Sequence, residues 1–161
     1  APAGPRGLLP SLNLAVRRQV IEAVGLFDER YPHAGGEDAD WTLRMRMAGW
    51  PLHFEPAAVV THVPNRTTLG QTWRHSFTYG RYSTKINPKY QGYLKTPFFL
   101  TRWPLLAGLT PLLAASTTVR AVRHGRAIPR AWLAAPGIYL GKVAWCLGAI
   151  STLSNGQGEL K

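Results

Sequence analysis

Hydrophobic and polar positions divide the chain into two regions of different texture, which meet between Tyr90 and Pro97. In the first, short apolar runs alternate with polar, turn-forming segments. Ser11 to Val16 is short and apolar enough for a strand end or a turn. A helix is expected from Val16 to Val24, stopped by Gly25, and a loop rich in turn formers spans Asp28 to Gly36. A second helix is expected from Asp38 to Ala48. Its start carries Glu37, Asp38 and Asp40, which suit the positive end of a helix dipole, and Gly49 is a good stop. Leu52 to Phe54 and Ala57 to Thr61 read as short strands, the second apolar enough to be buried. An aromatic and basic helix follows, from Thr68 to Lys85.

The second region holds two long apolar stretches. Trp103 to Val119 is uncharged over 17 residues, just long enough to cross a thin bilayer, although Pro104 and Pro111 interrupt it. Ala131 to Ile150 is similar in length and contains Pro136 and Lys142. Between them lie Arg120, Arg123, Arg126 and Arg130, which prefer the cytoplasmic side of a membrane. A cytoplasmic first region and a cytoplasmic linker cannot both flank one full crossing. Interfacial or re-entrant helices are therefore expected rather than a spanning hairpin. A buried helical pair in a soluble protein is the bland alternative.

Charge sharpens the division. The net charge is +11, and seven of the eight carboxylates lie between Glu22 and Glu55. From Pro56 to Gly158 there is none, so this region should seek an anionic partner. The apolar runs, with Trp103, Trp132 and Trp145, favour an anionic membrane surface over nucleic acid, for which no motif is present. Cys146 is the only cysteine, which excludes an internal disulfide and a cysteine-based zinc cage; a reducing, cytosolic setting fits.

The segment richest in chemistry is Gly35-Gly36-Glu37-Asp38-Ala39-Asp40-Trp41. Crowded carboxylates make one another more basic, which suits one of them to proton abstraction, and the glycines let a ligand approach the backbone. Surface acids at a helix start would leave the same pattern.

Several ordered motifs accompany this one: Asn13-Leu-Ala-Val-Arg17-Arg18, Val24-Gly25-Leu-Phe27-Asp28-Glu29, Arg44, Ala48-Gly49-Trp50, Pro56 and His62. Together they resemble the inverting glycosyltransferase family 2, over about Pro10 to Lys85. The resemblance implies an α/β fold: a partial GT-A glycosyltransferase domain, the C-terminal acceptor-side half, over residues 1–90. A helical, membrane-associated tail would follow over residues 91–161.

The resemblance also implies the site. Asp38 would be the catalytic base, and Glu37, Asp40 and Trp41 would line the acceptor pocket, Trp41 as a face for a sugar ring. His62, at the end of the second strand, would complete the coordination of Mn²⁺ or Mg²⁺ on the donor diphosphate, and imidazole suits Mn²⁺ better. Gln71-Thr-Trp73-Arg74-His75 is similar to the Gln-x-x-Arg-Trp motif of processive members, which would set Gln71 and Arg74 on the diphosphate. His75 stands where that motif has Trp, which argues against polymer-holding processivity. The run Trp73 to Arg81 also looks like members that glycosylate lipid-linked acceptors.

These readings imply a nucleotide-sugar donor and a lipid-linked or saccharide acceptor at the cytoplasmic face of a cell membrane. No Asp-x-Asp motif stands upstream of Glu37, and the chain starts at Ala1 rather than Met. A fragment, or a companion N-terminal half that binds the nucleotide, is therefore expected. The rival expectation is a non-catalytic membrane-binding module derived from such an enzyme.

Overall fold

The computed structural model describes residues 2–33, 35–63, 66–90 and 92–156. It corrects the α/β expectation: the chain is 61% helix and 5% strand, and its sheet has two strands, so it is not a GT-A domain. Strands β1 (Gly4–Arg6) and β2 (Leu52–Phe54) pair antiparallel with Pro5 opposite His53. The second expected strand, Ala57 to Thr61, is a turn followed by exposed irregular chain, with Val59 80% exposed. An apolar β-branched run becomes a buried strand only beside another strand and beneath a covering layer. Among the described residues β1 and β2 pair with each other, and neither is offered to this run.

Five α-helices carry the rest: α1 (Arg18–Val24), α2 (Glu37–Met47), α3 (Leu69–Arg81), α4 (Trp103–His124) and α5 (Ala135–Ser154). Local chemistry accounts for their ends. In α2 three carboxylates occupy the first turn and Arg44 and Arg46 the last, each sign opposite to the adjacent dipole end. It closes in a Schellman motif, Gly49 N–H donating to Arg46 O and Trp50 N–H to Met45 O, at 3.0 and 2.9 Å. α3 opens with a capping box between Thr68 and Gln71 and ends at Arg81, short of the expected Lys85; a 3₁₀ turn, Thr84–Ile86, follows. Pro104 and Pro136 lie in the first turns of α4 and α5, where the missing N–H costs nothing, while Pro111 sits inside α4.

The helices gather around two cores. The first joins Val20 of α1, Trp41 and Met45 of α2 and Leu52 of β2. The second joins Ile86, Leu106 of α4, and Cys146 and Ala149 of α5. α4 and α5 form an antiparallel hairpin, and α3 lies along α5 in the same direction: Gly137 faces Leu69, Gly141 faces Ser76, and Thr152 donates a 2.9 Å hydrogen bond to Arg81 O. The closest approach is glycine on both sides. A Cβ on Gly80 would run into the Trp145 carbonyl, and one on Gly148 into that of Phe77. Packing thus attaches α3 to the tail helices, across the compositional boundary near Tyr90.

Both tail helices are long and apolar enough to cross a membrane, over Trp103–His124 and Ala131–Ser154, and most of each is uncovered by the rest of the chain.

Candidate functional site

The acidic start of α2 is shaped from three directions. Gly36 precedes the helix at φ 101°, a conformation that costs an L-residue, and a Cβ there would strike the Tyr82 carbonyl. The end of α3 therefore sits directly on the helix start. Tyr79, on the same turn of α3, packs beside Gly35. Its hydroxyl is held above the usual phenol range by burial and by the charges of Asp38 and Glu37. Tyr31 is shifted the same way, by burial and then by Asp40 and Asp28. His75 stacks on Tyr79 with ring centres 4.3 Å apart, and burial, then Arg66, holds it below the usual imidazole value.

The three carboxylates have separate fates. Asp40 is buried, 1% exposed. Its Oδ2 accepts from Arg44 Nε at 2.8 Å, its Oδ1 accepts the Tyr90 hydroxyl, and Lys89 Nζ lies at 3.6 Å. Arg44 also donates to the carbonyls of Val24 and Leu26, tying the end of α1 to α2. Asp40 is thus the centre of a buried polar network. Glu37 accepts from the Gly35 N–H and closes the turn. Asp38 is half-buried and accepts only from backbone, the Ser11 N–H at 3.2 Å and the Ala39 N–H at 2.7 Å. Glu37 and Asp38 are both half-buried and oriented by backbone N–H groups, whereas Asp40 is closed off from solvent.

Trp41 is a core residue. It is 7% exposed, its Nε1 donates to Gly25 O at 2.8 Å, and its ring lies 4.4 Å from that of Phe27. Tyr79, beside the turn, is 41% exposed. Gln71 is spent on the helix cap, its Oε1 accepting from the N–H groups of Thr67 and Thr68 at 2.9 and 3.1 Å. Arg74, one turn further along α3, is exposed.

His62 is exposed on the irregular segment after β2 rather than at a strand end. A 3₁₀ turn, Ser11–Asn13, links the two ends of the expected site: Ser11 holds Asp38, and Asn13 Nδ2 donates to Ala58 O at 3.0 Å. This turn borders a groove of about 660 Å³ lined by Leu9, Leu12, Val16, Met45, Trp50 and Phe54 among others. No group of three or more His, Cys, Asp or Glu among the described residues is placed to hold a metal. His62 therefore does not form a metal site with the residues described.

Ser11, Tyr79 and Tyr90 do not stand out in the sequence, since their roles depend on contacts 27 to 50 residues away or on a neighbouring helix. The Gly137, Gly141 and Gly148 series on α5 is a legible signal for close helix packing. Searches against models of protein families, curated proteins and solved structures return no match.

Proposed function

We propose that this chain carries the acceptor-activating part of an inverting, family 2-type glycosyltransferase that works at a membrane. The observation behind this reading is Asp38, half-buried and oriented by two backbone N–H groups, next to a glycine turn against which the exposed Tyr79 packs. In this reading Asp38 takes the proton from an acceptor hydroxyl while that oxygen attacks the anomeric carbon of a nucleotide sugar. The nucleoside diphosphate leaves from the opposite face, which inverts the configuration. Tyr79 offers a stacking face, and Arg74 a guanidinium for phosphate.

Nucleotide recognition is assigned to a companion half. Mn²⁺ or Mg²⁺ would take His62 as one ligand in a set completed outside this segment. The acceptor is a lipid-linked or envelope saccharide. Placement at the cytoplasmic face rests on the arginine-rich linker between α4 and α5.

The test is sugar transfer in membranes from a panel of nucleotide sugars with Mn²⁺, the chain being joined to candidate donor halves. Asp38→Asn should lower transfer by about 10²–10⁴-fold, the usual share of a general base. Undiminished transfer by that variant would remove Asp38 from the mechanism.

A second reading, a non-catalytic membrane-binding module, is favoured by the structural use of Asp40, Trp41 and Gln71. It predicts no transfer with any donor half and full membrane binding by Asp38→Asn.

A further inference from the structure

Outside the Asp38 site, the hairpin carries exposed apolar residues at regular helical spacing. On α4, Leu105, Leu112 and Val119 are 44%, 66% and 48% exposed at seven-residue spacing, which keeps them on one side of the helix. On α5, Leu147 is 41% exposed, while Leu140 borders a cleft shared with Leu69 and Trp73 of α3. An uncovered row such as that of α4 marks an interaction surface.

Its surroundings identify the occupant. Arg102, Arg120, Arg123 and Arg130 flank the helices and are all exposed, while carboxylates are missing from the sequence between Pro56 and Gly158. Trp103 and Trp132, 47% and 65% exposed, stand near opposite ends of the antiparallel pair. Apolar stripes edged by arginine and tryptophan are complementary to lipid tails beneath anionic headgroups.

The packing of α3 sets the orientation. It follows α5 from Gly137 to Thr152 and carries exposed Arg74 and Arg81. If α5 stood across a bilayer, α3 would bring Arg74 into the hydrocarbon, where a charge is costly. We propose that α4 and α5 lie flat in the headgroup–acyl boundary of an anionic membrane, the α4 stripe toward the tails and α3 on the aqueous side. This extends the membrane part of the functional reading and is independent of the transferase part.

The experiment uses the full chain with Cys146→Ala, so that single cysteines at Leu105, Leu112, Val119 or Arg74 carry an environment-sensitive fluorophore. Vesicles are phosphatidylcholine with or without phosphatidylglycerol, and depth is read with shallow and deep spin-labelled lipids. On anionic vesicles the three α4 sites should shift to the blue and be quenched equally by the shallow label, while the label at Arg74 stays aqueous. Deep quenching confined to Leu112→Cys, or entry of the Arg74→Cys label into lipid, would overturn the flat orientation in favour of a crossing. Blue shifts that grow with protein concentration without vesicles would assign the face to a second copy. No shift under any condition would also overturn the proposal. Should the labelled variants misfold by circular dichroism, flotation of the unlabelled chain against Leu105→Gln/Leu112→Gln decides. Both sites are exposed, and the proposal requires at least a tenfold loss of vesicle binding.

Discussion

The two cores are held by opposite means. Around α2, position is set by charge and hydrogen bonding: Asp40 gathers Arg44, Lys89 and Tyr90, while Arg44 pins the two carbonyls that end α1. Around α5, position is set by the absence of side chains, with Gly80 and Gly148 letting α3 and α5 approach until backbone meets backbone. A polar network tolerates changes of shape but not the loss of a partner. A glycine contact tolerates changes of polarity but not added volume. Both units leave apolar side chains outward: the first on irregular chain, as at Leu26 and Val59, and the second in a regular row along α4.

The contrast can be broken most sharply at Asp40. Asp40→Ala leaves Arg44 and Lys89 without their shared carboxylate and Tyr90 without its acceptor. Removing one partner of a buried pair typically costs about 3–5 kcal/mol, so chemical denaturation should show a loss near that range, with the Trp41 core affected most. A loss below 1 kcal/mol would mean that the network positions side chains without stabilising them.

Next in size is Gly148→Ala. Its methyl group meets the Phe77 carbonyl, which belongs to helix backbone and cannot rotate aside. Overpacking of this kind costs about 1–3 kcal/mol, and the α3–α5 contact should open while α2 keeps its structure. Amide exchange would show faster exchange in α3 and α5 alone. Equal loss of protection around Trp41 would show that the two units fold as one.

The smallest effect is expected at the start of α3. Thr68→Ala removes the side-chain half of the capping box and should cost about 1 kcal/mol. Gln71→Ala should show a similar loss, because its amide oxygen is committed to the same cap. If Gln71→Ala instead leaves stability unchanged and abolishes transfer, Gln71 serves the donor diphosphate.

Acid titration sharpens the comparison from another side. The Arg30 side chain, bonded to Asp28, lowers that carboxyl to about 2. A lowered carboxyl contributes stability above its unfolded value, near 4, and that contribution is lost as pH falls toward 2. This acid dependence belongs to the first unit, since carboxylates are missing from the sequence between Pro56 and Gly158.

What the sequence determined by itself was local or compositional. Gly25 and Gly49 announced helix ends, the acids of α2 announced its first turn, and the uncharged run from Trp103 announced a long apolar helix. Each follows from residues within one or two turns of one another, where spacing is a sufficient statement of geometry. The strand expected at Ala57 to Thr61 was not decidable that way, because its fate depends on a distant partner strand.

Tertiary structure alone decided which of Glu37, Asp38 and Asp40 would be consumed by the fold. Three adjacent carboxylates look alike in one dimension. On a helix each residue turns about 100° from the last, so Asp38 and Asp40 point to nearly opposite sides: Asp40 inward to Tyr90, Asp38 toward Ser11. The same rotation put Trp41 in the core and left the aromatic surface to Tyr79, on a helix that reaches the site through its contact with α5. Sequence spacing carries the chemistry of a side chain, but its direction is settled only when the elements pack.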